Sequence, residues 1–397
     1  MISKAIYPGT GRRLYFGLRI VSILLSLAAL PAFGQQVHQL SYDGSNWMDQ
    51  SLNGSGPTFD ALAAFATMPN DQAHVYYAGS GENLTFDVHQ LFYNGVSWSD
   101  EDLTVLSGGA KALNGTVVTG FSVGNYQYVY YVSDNNHLHQ LLYDNYNWTD
   151  SDLTAQTGGP QVSQFNLLAF TTTPAVHVYY MELADFSHQH IHQMFNTNGS
   201  NWQDQDLTNL TGGDSALSDS PFKMAGFNIG NFQYVYFMSS ATGHVHELVY
   251  NNSSWSDEDL SALTKTSTWC DNCVLAALVI PGTKKMRVYY IAPLLHLSQL
   301  ASTNNKKWTS SDLTKKTKSP VPTAYNQVIA FTSGPKNQVN VYYGSGTDVN
   351  HLFQPTPTTW SNEDLTVLTN GGTLADFGSA FAGFSLQNNQ YVYYVAD

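Results

Sequence analysis

Three short histidine pairs, His137/His139, His190/His192 and His244/His246, are the residues of this chain most obviously able to hold a metal ion. Spaced i and i+2, each pair shares one face of a strand and could chelate. Two ligands do not close a site, and the pairs fade to Asp87/His89, His296/Ser298 and His351/Phe353 elsewhere, so no metal is expected. Carboxylates gather in turns such as Asp100-Glu101-Asp102 and Asp257-Glu258-Asp259, which lack the calcium-loop spacing and read as turn-stabilising groups. Glycoside hydrolysis needs two carboxylates set apart from the rest, and here no copy is singled out. No G-x-S-x-G, H-E-x-x-H or P-loop is present, so neither an enzyme nor a cofactor is expected. The two cysteines, Cys270 and Cys273, form a C-D-N-C that reads as a small local disulfide, with a free thiol pair as the alternative.

The elements that must carry these residues repeat. Trp47, Trp98, Trp148, Trp202, Trp255, Trp308 and Trp360 are spaced by 51, 50, 54, 53, 53 and 52 residues; the eighth tryptophan, Trp269, falls outside the pattern. A D-L-T or D-L-S follows six of the seven, beginning at Asp102, Asp152, Asp206, Asp259, Asp312 and Asp364. Between tryptophans a V-Y-Y or V-Y-F strand follows His74, Tyr128, His177, Tyr234, Arg287, Asn340 and Tyr391. A further strand is centred on Gln39, Gln90, Gln140, Gln193, Glu247, Gln299 and Gln354. These runs are short, rich in Val, Tyr, Phe and Leu, and bounded by Gly, Asn, Asp and Ser, which is strand and hairpin chemistry. Apart from Ile20 to Phe33, no segment shows a sustained helical stripe. A period near fifty in an all-β chain points to a propeller, whose units bury their apolar faces only against neighbours.

The ends sharpen this reading. After residue 34 the chain starts with a third and fourth strand (Val37 to Leu52), and it stops after a first and second (Ser379 to Ala396). Together they make one blade, so the expected fold is a closed, seven-bladed, all-β propeller of four-stranded antiparallel blades, a single domain over 35–397. The six uninterrupted blades are expected at about 56–108, 109–160, 161–213, 214–265, 266–319 and 320–372.

The V-Y-Y strand, the glutamine- or glutamate-bearing strand after it and the tryptophan beyond the hairpin together resemble the fungal fucose-specific lectin family and its bacterial relatives. The resemblance spans essentially all of the chain after residue 34. It implies a propeller that binds fucose between blades, with an arginine at the start of V-Y-Y, a glutamate on the following strand and aromatic walls. Only Arg287 matches the arginine and only Glu247 the glutamate, and Glu247 lies on the blade before Arg287. The family propellers have six blades, one fewer than expected here. The replacements keep a chemistry suited to a neutral sugar: Gln offers a donor and an acceptor to a vicinal diol, and Tyr or His can stack on a ring or bond a hydroxyl. The candidate sugar contacts are Arg287, Glu247, Gln299, Tyr234, Gln90, His74, Gln140, Tyr128, Gln193 and His177, with Trp98, Trp148 and Trp255 as walls. The tryptophans also read as blade packing, and the competing reading of the whole is a non-catalytic protein-interaction scaffold without a sugar site.

Charge narrows the partners. Lys4, Arg12, Arg13 and Arg19 precede an apolar run of about 14 residues, too short for the roughly 20 of a membrane span, and Ala32 and Gly34 supply small residues for cleavage. Residues 1–34 therefore read as a signal peptide, and the protein as secreted or periplasmic, with no membrane insertion after cleavage. Without them the charge goes from −14 to −18 and Arg287 is the only arginine. Nucleic acid is excluded for lack of a basic stripe, and sialylated or sulfated ligands are disfavoured by repulsion. The expected partners are neutral glycans or glycoconjugates, held by several individually weak sites acting together.

Overall fold

The computed structural model describes residues 35–52, 57–67, 71–80, 85–172, 174–184, 189–197, 201–217, 221–266, 274–324, 326–374 and 379–396. The proposed leader and the Cys270/Cys273 pair lie outside these residues. Seven four-stranded antiparallel sheets form a ring. In blade 1 the strands are Pro57–Thr67, Gln72–Ser80, Phe86–Tyr93 and Trp98–Asp102, from the axis outward. The innermost strands of successive blades pack on one another all the way round, Phe381–Leu386 against Pro57–Thr67 closing the circle.

Closure is made as the chain ends require. In blade 7, Phe381–Leu386 and Asn389–Ala396 come from the C-terminal end, and Gln36–Tyr42 and Trp47–Ser51 from the N-terminal end. Gln39 stands opposite Tyr393, and Val37 opposite Val395. Both ends thereby lose the open edge that would template further pairing. Among the described residues no helix is long and apolar enough to cross a membrane.

The two tyrosines of V-Y-Y alternate sides, as a strand demands. The first points to the next blade and meets its repeat tryptophan edge-on, so that Tyr76–Trp148, Tyr179–Trp255, Tyr342–Trp47 and four equivalent pairs have ring centroids 6.1–6.4 Å apart at 72–80°. All seven tryptophans are thus inter-blade staples. The second tyrosine turns to its own blade: the hydroxyl of Tyr77 donates to Asp100 at 2.9 Å and that of Tyr394 to Asp49 at 2.6 Å. The tyrosines buried to under 2 % exposure include Tyr76, Tyr77, Tyr179, Tyr180, Tyr342 and Tyr343. Each hydroxyl needs a partner there, and the fourth-strand carboxylates supply several.

The D-L-T tail also has a structural cause. Asp102 caps the helix Leu103–Ser107 by accepting from the amide of Val105, Leu103 is fully buried, and Thr104 Oγ1 accepts from Val88 N at 2.9 Å. Cap, plug and latch recur in five further blades, at Asp152, Asp206, Asp259, Asp312 and Asp364. The acidic runs read as turns, Asp100-Glu101-Asp102 and Asp257-Glu258-Asp259, instead end the fourth strands Trp98–Asp102 and Trp255–Asp259, and only the last aspartate of each caps a helix.

One register differs from the sequence reading. In blade 6 Tyr342 pairs with His351, as Tyr76 pairs with Gln90 in blade 1, so His351 and not Gln354 occupies the repeated strand-three position. The run Leu352-Phe353-Gln354 imitates the motif, but the sheet aligns Val349-Asn350-His351-Leu352, which buries Val349 and Leu352 completely.

Candidate functional site

The blades fall into two kinds at the start of the V-Y-Y strand. In blades 2, 4 and 7 it opens on Gln-Tyr: Gln127-Tyr128, Gln233-Tyr234 and Gln390-Tyr391. In blades 1, 3, 5 and 6 the tyrosine is replaced by His74, His177, Arg287 and Asn340. The Gln-Tyr blades carry a Gly-Phe on the preceding strand. A Cβ on Gly120 or Gly226 would lie 2.4 Å from the carbonyl oxygen of Tyr128 or Tyr234, so only glycine permits that approach.

Wells open where a His or Asn blade is followed by a Gln-Tyr blade. They lie between blades 1 and 2, 3 and 4, and 6 and 7, with volumes of about 460, 640 and 540 Å³. Each has a stapling tryptophan on the far wall with a tyrosine packed beside it: Trp148 with Tyr143, Trp255 with Tyr250, and Trp47 with Tyr42, at 5.0–5.4 Å between ring centroids. Each has the Gln of the far blade at its back, accepting from the first tyrosine of the near blade in the pairs Tyr76–Gln127, Tyr179–Gln233 and Tyr342–Gln390.

The floors differ in detail. In well 1/2 the Gln90 amide donates to His74 Nδ1 at 2.6 Å, and His74 Nε2 lies 3.1 Å from Thr67 Oγ1. The ring is therefore an Nε2–H tautomer that donates to the hydroxyl. Gln90 lines the cavity, and its Oε1 is buried without a partner. Well 3/4 repeats this with His177, Gln193 and Thr172, and Gln193 donates also to Gln233 Oε1 at 2.9 Å. Burial pushes the pKa of His74 and of His177 down to about 4, so both are neutral at physiological pH. In well 6/7 the imidazole moves to strand three: His351 Nδ1 meets Glu363 at 2.8 Å and Nε2 meets Asn340 Oδ1 at 3.1 Å. Trp47 Nε1 donates to the same Glu363 oxygen at 3.1 Å.

Elsewhere a ring takes the place of the well floor. Phe121–Tyr128, Phe227–Tyr234 and Phe384–Tyr391 pack at 5.1–5.5 Å at the 2/3, 4/5 and 7/1 interfaces. Gln140 lies opposite Tyr130 on the first of these, and Trp98 packs on Tyr393 at the last. Glu247 is 1 % exposed at the 4/5 interface and bonded to Tyr236 at 2.8 Å. Burial, with help from Glu258, pushes its pKa up to about 8.

Seven is odd, so strict alternation cannot close, and interface 5/6 joins two blades of the His/Arg/Asn kind. Arg287 and Gln299 share one face of blade 5 there, and the Arg287 guanidinium donates to the carbonyls of Met286 and Ser302 at 2.8 and 3.3 Å. Arg287 Nε, Tyr289 Oη and Gln299 Oε1 are buried without partners. Glu247 and Arg287 belong to different interfaces and do not form a pair.

The structure thus gathers His74, Gln90 and Trp148 into one well and His177, Gln193 and Trp255 into a second. It leaves Tyr128, Gln140, Tyr234, Glu247 and Trp98 at filled interfaces and puts Arg287 with Gln299 at 5/6. The sequence reading missed Gln127, Gln233 and Gln390, the tyrosines Tyr42, Tyr143 and Tyr250, and the whole 6/7 well. The Gln-Tyr dipeptide in alternate repeats was the signal that could have found them.

Residues 31–206 match the model of the fungal fucose-specific lectin family. No curated protein matches the chain in direct sequence comparison. Among solved structures, the Aleuria aurantia lectin, bound to Fucα1-6GlcNAc, is similar with 18 % identity and a TM-score of 0.54, over 77 % of this chain and 94 % of that one. A lectin of Burkholderia pseudomallei aligns over 83 % of this chain and 90 % of its own with 14 % identity and a TM-score of 0.54. AofleA of Arthrobotrys oligospora aligns over 90 % and 92 % with 13 % identity and a TM-score of 0.52. The Aleuria propeller is described as six-bladed, one blade fewer than the seven found here. In sequence over residues 31–206, and in fold over most of its length, the chain is similar to the fungal fucose-specific lectins and their bacterial relatives.

Proposed function

We propose that this propeller is a lectin-like, carbohydrate-binding protein whose principal sugar wells lie between blades 1 and 2, 3 and 4, and 6 and 7. One observation carries the reading: a stapling tryptophan, its tyrosine neighbour and a buried glutamine recur at all three interfaces. A tryptophan face suits the apolar side of a pyranose, and fixed amides suit its hydroxyls. The imidazoles in wells 1/2 and 3/4 are neutral and well 3/4 has no charged lining residue, which fits an uncharged sugar such as fucose; well 1/2 adds the carboxyl of Glu101 as a hydrogen-bonding group. All three wells open on the rim that carries the hairpins between third and fourth strands. One branched or clustered glycan surface can therefore engage several at once, multiplying weak affinities through effective concentration. Interface 5/6, with Arg287 and Gln299 on one blade, is a fourth candidate. Export by a cleaved leader over 1–34 is part of the proposal, and N-terminal sequencing of the mature protein tests it.

The test is a glycan array read with competition by free monosaccharides. Binding that a neutral monosaccharide competes, and that the single variants W47A, W148A and W255A each lower by one site while remaining folded, is the expected result. Binding to proteins but to no glycan would replace the lectin reading with a scaffold role. If Arg287→Ala leaves all sugar binding unchanged, interface 5/6 is not a sugar site.

A further inference from the structure

We propose that blade 3 binds one divalent transition-metal ion of the zinc class through His190 Nδ1, His192 Nε2, Asp206 and Glu182, on the rim opposite the wells. The sequence offered two histidines per blade; the sheet brings two carboxylates to them. Glu182 ends the second strand, Ala175–Glu182; His190 and His192 stand at the start of the third, Ile191–Asn196; Asp206 ends the fourth, Gln203–Asp206.

The decisive atom is His192 Nε2. His192 Nδ1 lies 3.0 Å from Asp204 Oδ2, and because a carboxylate only accepts, Nδ1 carries the proton. In the neutral ring Nε2 is then a bare lone pair. It is buried without a partner in a residue 6 % exposed, and its polar neighbours are Glu182 Oε2 at 3.8 Å and Asp206 Oδ2 at 3.9 Å. His190 Nδ1 donates its proton to Asp206 Oδ2 at 2.8 Å in the metal-free protein and lies 4.0 Å from Glu182 Oε1; a metal ion bound there would displace that proton. A buried imidazole nitrogen with no partner, facing two carboxylates, suits a cation between them, with His190 Nδ1 giving up its proton to join the set. Ligand atoms about 2.0–2.1 Å from a tetrahedral zinc ion are roughly 3.3 Å apart, within the span of these separations. His190 Nδ1, His192 Nε2 and an Asp206 oxygen already lie within 4.8 Å of one another. The Asp204–His192 bond is the carboxylate–histidine arrangement that orients a metal-bound imidazole. The side chain of Asn209 also donates to Asp206 Oδ2; that residue is exposed and can turn away.

Blade 3 is singled out from its neighbours. Blades 2 and 4 also leave the buried His139 and His246 Nε2 without partners, 3.8 Å from Asp152 and from Asp259. The place of Glu182 is taken there by Ser133 and Ser239. In blade 4 a second carboxylate, Asp214, does lie 3.6 Å from His246 Nε2, but that oxygen is already bonded by Ser239 Oγ at 2.6 Å. Of the three pairs only His190 and His192 form a compact group with their aspartate. An N2O2 donor set of two imidazoles and two carboxylates favours zinc over the all-oxygen coordination of calcium or magnesium.

The experiment uses the full chain, untagged and stripped with EDTA, titrated with zinc chloride by calorimetry and by thermal melting. One saturable zinc ion per chain and a raised Tm are expected, with no response to calcium. Glu182→Ser, which installs the residue of blades 2 and 4, should weaken zinc binding by about tenfold or more, and His190→Ala by about a hundredfold. Both should keep the melting curve of the wild type in EDTA, since neither is needed for the fold. No saturable uptake, uptake unchanged in both variants, or two or three equally tight ions per chain would overturn the assignment. A stability that responds to pH but not to zinc would mean that a proton alone satisfies His192.

Discussion

At the 1/2, 3/4 and 6/7 interfaces a small polar residue opens the V-Y-Y strand of the near blade, and a well forms in front of a tryptophan. At 2/3, 4/5 and 7/1 a tyrosine stands at that point, packed on a phenylalanine from the strand inside it, and the volume is filled. The staple itself is the same in both: Tyr179–Trp255 in a well interface and Tyr130–Trp202 in a filled one have centroids 6.2 and 6.4 Å apart at 76° and 77°. Packing is therefore seven-fold, while the polar chemistry alternates. A repeated residue cannot be assigned to ligand or to core from its own copies; the neighbour one strand away decides.

The hardest test of the comparison removes a staple on each side. Trp202→Ala and Trp255→Ala should each cost about 3–5 kcal/mol in chemical denaturation, because both lose a large packed ring. Only Trp255→Ala should also lower sugar stoichiometry; equal loss in both would dissolve the distinction between wells and filled interfaces.

The next effect belongs to Glu247. Its folded pKa is raised to about 8, so its contribution to stability is fully present below the unfolded value near 4.5. That contribution is lost as pH rises toward and through 8, by an amount on the order of a few kcal/mol. Gln occupies this position in blades 1, 2, 3, 5 and 7, so Glu247→Gln should fold normally and be the more stable protein at pH 8. Denaturation midpoints that move in parallel for both proteins across pH 4.5–8 would show that Glu247 is ionised in its site.

Exchanging the floors sharpens the comparison further. His177→Tyr should fill the 3/4 well, remove one sugar equivalent, and cost about 1–3 kcal/mol for the added volume. Tyr128→His should open space at 2/3, and a crystal structure of that variant would show whether a well appears.

A smaller effect should appear on acidification. His74 and His177 have folded pKa values near 4, below the unfolded value of about 6.5, so their contribution is present above pH 6.5 and lost as pH falls through 4. Protonation of Nδ1 breaks the bond from Gln90 or Gln193. Sugar binding by wells 1/2 and 3/4 should persist to about pH 5 and fail near 4. A loss at pH 6 in titration calorimetry would mean that the imidazoles are charged in use. In well 6/7 burial also lowers the pKa of His351, against the opposing pull of Glu363.

Much of this was legible before any coordinates. The tryptophan period, the V-Y-Y strands and the split blade shared by residues 36–51 and 381–396 followed from local chemistry, because strand alternation and hairpin residues act over a few positions. Gln354 was misread for the same reason: Leu352-Phe353-Gln354 imitates the repeat, and only pairing with Tyr342 shows that His351 holds the place. The wells were half legible. His74 and Gln90 are sixteen residues apart on one blade and were found together, whereas Gln127 and Trp148, which complete that well, belong to the next repeat.

The sequence by itself determined the number of blades, the manner of closure and the identity of the stapling aromatics, since each is set by a period or by residues adjacent in the chain. Tertiary structure decided which interfaces are hollow, that Glu247 and Arg287 never meet, and that Glu182 reaches His190 and His192. Those outcomes depend on which side chains share a face across strands and blades. Register and sheet packing set that, and no single repeat encodes it.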